Sequence, residues 1–105
     1  MELKMPKFRK KPVVVEAFQM TEARRSDNRD WPHWLNEAWQ REAPMEGALV
    51  IDEHDLEHQR LVIWTKEGRT PIYWDDWIIQ GVKGELYPCR PDIFEETYHP
   101  EEDAP

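Results

Sequence analysis

His54 and His58 stand four residues apart among Asp52, Glu53, Asp55 and Glu57. On a helix that spacing presents both imidazoles on one face, as a divalent metal requires. The order is not the H-E-x-x-H arrangement, since Asp55 follows His54, and the polarity of the segment reads as a solvated loop. No resident metal is expected. Cys89 lies between Pro88 and Arg90, and a neighbouring cation lowers a thiol pKa toward nucleophilic character. Covalent chemistry also needs an oriented base, and the nearest in sequence is His99, in a stretch expected to fray. Cys89 therefore reads as a small core residue. Gly81-Val82-Lys83-Gly84 lacks the G-x-x-x-x-G-K-[ST] spacing of a phosphate loop and precedes a strand, so it reads as a hairpin turn. Asp75 and Asp76 are adjacent, which points their carboxylates apart and makes a capped turn of them, not an acid and base pair. No catalytic residue and no cofactor site is assigned.

The remaining cluster is aromatic and charged: Tyr73, Trp74, Asp75, Asp76, Trp77, Tyr87, Arg90 and Asp92. Strand alternation sends Tyr73 and Trp74 to opposite faces, which exposes at least one large ring. Exposed aromatic and Arg side chains are common anchors of protein interfaces and stacking platforms for bases. These residues are the candidate binding patch, against the alternative that the rings all pack inward.

Positioning them takes a series of short elements. The run Val13 to Met20 is rich in β-branched residues and predicts a first strand. Asp30 reads as a helix cap and Pro32 as a first-turn residue. Trp31, Trp34, Leu35, Ala38 and Trp39 then fall on one helical stripe, predicting a helix from Trp31 to Glu42 that packs against a sheet. Pro44 disfavours helical geometry at Ala43 and so ends it. Beyond lie apolar runs at 47–51 and 60–65, predicted to pair across an exposed loop, and further strands over 70–74, 77–80 and 85–87. Pro91 opens a short last helix, with Ile93, Phe94 and Tyr98 facing inward.

These elements belong to 105 residues with a formal net charge of −8, nine Pro, four Gly, one Cys and six Trp. That length is one small domain, without room for a cofactor domain beside a substrate domain. Neither a membrane span nor a signal-peptide apolar run is legible. A lone cysteine forms no internal disulfide, which makes a reducing compartment the expectation. Residues 1–25 balance to +4, residues 26–91 to −6 and residues 92–105 to −6. The chain thus has a basic arm, 1–11, and an acidic tail, 99–105, and its overall charge disfavours duplex nucleic acid.

Two blocks resemble a known family. Lys10-Lys11-Pro12-Val13-Val14-Val15-Glu16-Ala17-Phe18-Gln19 is similar to the opening, and Asp76 to Tyr98 (DWIIQGVKGELYPCRPDIFEETY) to the C-terminal signature, of small proteins encoded by tailed bacteriophages and prophages, the PGDYG family. Trp74 and Asp75 stand where that family usually has Pro and Gly, which implies an altered turn or an added surface charge. The resemblance implies a phage or prophage origin and, with it, action in the bacterial host cytoplasm. It transfers no activity.

The expected fold is α+β: a small twisted antiparallel sheet, or partly open barrel, of five or six short strands with one main helix on one face. The expected function is non-catalytic binding, as an accessory protein that inhibits a host defence or nucleic-acid-handling protein through an acidic surface. The alternatives are a sponge for a nucleotide-like small molecule, with Trp74, Trp77 or Tyr87 stacking a base and Arg90 meeting phosphate, and a virion-associated structural module. An exposed aromatic patch would also permit a homodimer.

Overall fold

The computed structural model describes residues 5–9 and 11–101. The arm and tail expected at 1–11 and 99–105 therefore fall partly outside the described residues. In chain order the elements are β1 (Glu16–Gln19), α1 (Glu22–Ser26), a single 3-10 turn (Asn28–Asp30), α2 (His33–Trp39), β2 (Leu49–Ile51), β3 (Leu61–Thr65), β4 (Gly68–Ile72), β5 (Trp77–Gln80), β6 (Leu86–Cys89) and α3 (Pro91–Thr97). The fold is α+β, with the six strands divided into two three-stranded antiparallel sheets ordered β1-β5-β6 and β2-β3-β4. The strand β6 lies against β3 and β4, which brings the two sheets together.

Local chemistry accounts for most of these boundaries. Thr21 caps α1 by accepting from the Arg24 N–H at 3.1 Å, and Asp27 caps the 3-10 turn by accepting from the Arg29 N–H at 2.9 Å. The polar stretch from Thr21 to Arg29 is thus structured despite its lack of apolar periodicity. The cap of α2 is Pro32, not Asp30: the N–H groups of Leu35 and Asn36 bond to the Pro32 carbonyl, while Asp30 ends the preceding 3-10 turn. The helix also stops at Trp39, before the expected Glu42, because the backbone turns at Gln40, whose N–H bonds to Ala38 and Glu37. The first strand is shorter than the run Val13 to Met20 because β5 offers only the residues from Trp77 to Gln80 as partners.

One apolar cluster joins the layers. Leu35 and Ala38 of α2 pack with Trp31, with Phe18 and Ile78 of one sheet, and with Leu49, Leu61, Ile63 and Ile72 of the other. Trp34 and Trp39 pack against its margin, and Trp31 meets Trp39 edge to face at 6.0 Å. The indoles of Trp31, Trp34 and Trp39 are therefore packing residues, Trp31 from just before α2, where its indole N–H is satisfied by the Arg24 carbonyl at 2.7 Å.

Candidate functional site

The turn between β4 and β5 is built by Asp76. Tyr73, Trp74, Asp75 and Asp76 close a reverse turn through a 3.0 Å bond from the Asp76 N–H to the Tyr73 carbonyl. Asp75 sits at φ 72°, the left-handed value that a type II turn requires at its third position. A Pro-Gly pair suits that turn in general, and here Asp75 adopts its backbone without glycine. The Asp76 side chain, 3% exposed, accepts from the Tyr73 N–H at 2.9 Å through Oδ2 and pairs with Arg90 Nη1 through Oδ1. Burial raises the Asp76 carboxyl, while the Tyr73 N–H and the Arg90 guanidinium act in the opposite direction. The turn is then fastened to β1: the Met20 N–H bonds to the Asp76 carbonyl at 2.8 Å, and Gln19 Nε2 to the Asp75 carbonyl at 3.0 Å.

Arg90 completes the corner. Its guanidinium lies 5.7 Å from the centroid of the Tyr73 ring, so the carboxylate on one side and the ring on the other fix a half-exposed cation. Tyr73 is 49% exposed, Trp74 is half-buried and Asp75 is exposed. The residues differ in exposure as expected, but a turn and not strand alternation separates them.

The other residues of the predicted patch lie elsewhere. Trp77 stacks on Phe94 of α3 with centroids 4.2 Å apart and planes 9° from parallel, and Phe94 stacks in turn on Tyr98 at 5.1 Å. This ladder fastens α3 to the sheet face opposite the main core. Tyr87, half-buried on the same face, has its hydroxyl pushed up to about 12, first by burial and then by the neighbouring Tyr98 hydroxyl. Asp92 is exposed in the first turn of α3. Ile93, expected to face inward, is 53% exposed, because Phe94 and Tyr98, four residues apart, define the packed stripe instead. That spacing was present in the sequence, but its partner Trp77 was not identifiable without the sheet.

Cys89 is half-buried, not core, and faces the same side of the sheet as Trp77, its ladder partner. Burial, then Asp76 and Asp92, push its thiol up, the reverse of the activation expected from a neighbouring cation. The loop from Asp52 to Arg60 is not helical. Asp55 accepts from His58 Nδ1 at 2.8 Å, which is the first cause holding its carboxyl down, while buried Asp52 pairs with Arg69 and accepts from the His54 N–H. Arg60 Nε lies 3.3 Å from Asp55 Oδ2 as an ion pair, off the angle of a hydrogen bond. No group of three or more potential metal ligands occurs among the described residues. Gly81 to Gly84 is the turn of the β5-β6 hairpin, with Gly84 at φ 84°. A groove of about 1100 Å³ beside it presents Arg41, Lys66 and Lys83 against Glu46, Glu67 and Glu85. That balance selects no ligand charge.

Comparison with protein-family models, with curated proteins and with solved structures returned no match. No helix among the described residues is long and apolar enough to cross a membrane.

Proposed function

We propose that this chain is a phage- or prophage-encoded accessory protein that acts without catalysis, by binding a protein of the bacterial host. The observation that carries the reading is the corner formed by Tyr73, Trp74, Asp75 and Arg90, held rigid by a buried carboxylate that is itself out of reach of a partner. Aromatic and Arg side chains fixed before contact lose little side-chain entropy on docking, which is how a few residues come to dominate an interface. A net charge of −8 adds long-range attraction to a basic surface, in the manner of an inhibitor that covers a nucleic-acid-handling groove. The sponge for a nucleotide-like molecule draws less support, because Arg90 is paired with Asp76 and Trp77 is stacked on Phe94.

The test is affinity capture from infected host lysate with tagged protein, followed by association kinetics with whatever host protein is retained at stoichiometry. The reading expects Tyr73→Ala to weaken that complex at least tenfold, the size of a single anchor residue, and expects the on-rate to fall as salt is raised. An on-rate indifferent to salt, together with full binding by Tyr73→Ala, would sink it. A nucleotide retained without any protein partner would favour the sponge.

A further inference from the structure

A groove of about 1000 Å³ lies between the segment that leads into β1 and the helix α3. Val13, Val14 and Val15 line it from one side, and the stacked rings of Trp77, Phe94 and Tyr98 from the other. Val13 is 47% and Val14 69% exposed, so much of this apolar lining is open to water. Covering it would be favourable. The charge on the α3 side has one sign: residues 91–101 hold Asp92, Glu95, Glu96 and Glu101 and neither Lys nor Arg, and Glu95 and Glu101 line the groove itself.

The chain just upstream has the complementary character. Lys11 is the first residue of the groove wall in chain order. Before it, Met5-Pro6-Lys7-Phe8-Arg9 has no regular structure and every residue is exposed, Met5 at 83% and Phe8 at 91%. A basic arm that served only solubility would carry no such pair of large apolar side chains. Pro6 and Pro12 favour a polyproline II ribbon around them, because each fixes its own φ and keeps the preceding residue extended. With three residues per turn, that ribbon sets Met5 and Phe8 along one edge and turns Lys7 and Arg9 to the other two. Aromatic-lined grooves are where such ribbons dock, because the ribbon is largely ordered beforehand.

We infer that residues 5–9 are a strap that folds back from Lys11 and closes over this groove within the same chain. Phe8 and Met5 then enter between the valines and the α3 rings, and Lys7 and Arg9 lie beside Glu95 and Glu101. The reach is sufficient. In a polyproline II ribbon Phe8 lies about 9 Å from Lys11 and Met5 about 19 Å, against the roughly 20 Å of extended wall from Lys11 to Ala17. The tether also selects the occupant. A segment joined directly to the wall meets the groove at an effective concentration that a free peptide or a second copy does not match in dilute solution. The structure holds the strap open; closed, it shields the apolar lining, and any ligand of the groove has to displace it.

Limited trypsin digestion of the full chain reads the strap directly, because Lys4, Lys7, Arg9 and Lys10 are cleavage sites and mass spectrometry separates cuts among them from cuts elsewhere. At low salt these bonds are expected to be cut about fivefold or more slowly than in a free peptide of residues 1–12, since cleavage tracks the open fraction. Phe8→Ser removes the main anchor and keeps every site, so the arm should then be cut as fast as the peptide carrying the same change. Glu95→Lys, which also leaves the sites in place, should speed cleavage about twofold or more. Both positions are exposed, so thermal unfolding of the body is expected to stay cooperative in each variant. Nuclear Overhauser contacts between the Phe8 and Tyr98 rings give a second reading, present in wild type and lost in Phe8→Ser. An arm cut at the free-peptide rate, or protection that Phe8→Ser leaves intact, overturns the inference. So does protection that fades on dilution from about 300 to about 1 μM, which would seat the arm on a second copy instead. None of these results bears on host-protein capture at the Tyr73 corner, since Tyr73, Trp74, Asp75 and Arg90 do not line the groove.

Discussion

Adjacent aspartates at 75 and 76 show how a single position changes the role of a side chain. Asp75 adopts a left-handed backbone that glycine takes without steric cost. Asp75→Gly therefore relieves that strain and is expected to raise stability by about 0.5 kcal/mol after the larger unfolded-state entropy of glycine is deducted. The midpoint of urea unfolding checks this. Asp76 instead carries a carboxyl raised by burial. Such a group holds its proton to higher pH when folded than when unfolded, so its contribution to stability falls as pH rises through that interval and stays reduced above it. Asp76→Asn has no proton to lose. The stability of wild type relative to that variant is thus expected to decline from about pH 4 toward neutrality, and a constant difference in unfolding free energy across that range would contradict the account. Cys89 follows from the same surroundings. Its raised thiol, with Asp76 and Asp92 nearby, should alkylate more slowly than a free thiol near pH 8, and Asp92→Asn should speed the reaction a fewfold in a timed iodoacetamide assay.

At the scale of elements, α3 depends on the stack of Trp77, Phe94 and Tyr98, because the helix has only seven residues and no side-chain cap. Phe94→Ala is expected to cost about 2 kcal/mol, below the roughly 3–5 kcal/mol of a fully buried phenylalanine since the ring is half-buried, and to raise amide exchange across α3 before the sheets respond. The same variant admits water to Tyr87 and removes Tyr98 from it, so the tyrosine titration near 12 should move back toward 10 in an ultraviolet pH titration. These elements were legible to different degrees. The Pro91 helix start, the glycine turn at 81–84 and the hairpin across the 52–60 loop were readable because each is encoded within a few residues. The pairing of β1 with β5 joins residues about sixty positions apart, and no local pattern encodes it. That long-range contact is why the apolar run over 13–20 overstates β1 and why Tyr73 and Trp77 do not share one patch. The strand β5 in fact sends Trp77 to the α3 face and leaves the Tyr73 corner at its start. Asp75 and Asp76 were recognisable as a turn, but the burial of Asp76 follows from Arg90 on a different hairpin strand's end.

For the molecule as a whole, the question is whether two small sheets unfold together. Each has three strands of at most five residues, too little to be stable alone without a covered face. The cluster that covers them is shared: Ile63 of one sheet, Ile78 of the other and Leu35 of α2 are all fully buried within it. Truncating Ile63 to Ala deletes buried carbon that the close-packed surroundings cannot wholly replace, at a cost of about 3 kcal/mol. Against the roughly 5–15 kcal/mol that separates folded from unfolded states of a domain, this is a large fraction, and the melting temperature should fall by about 10–20 °C. The distribution of the loss is the sharper test. If the shared cluster makes one cooperative unit, the slowest-exchanging amides of β5, which Ile63 does not adjoin in the ladder, lose as much protection as those of β3. Protection lost from β2, β3 and β4 alone would mean that the two sheets melt independently, each held by its own contacts with α2 or α3.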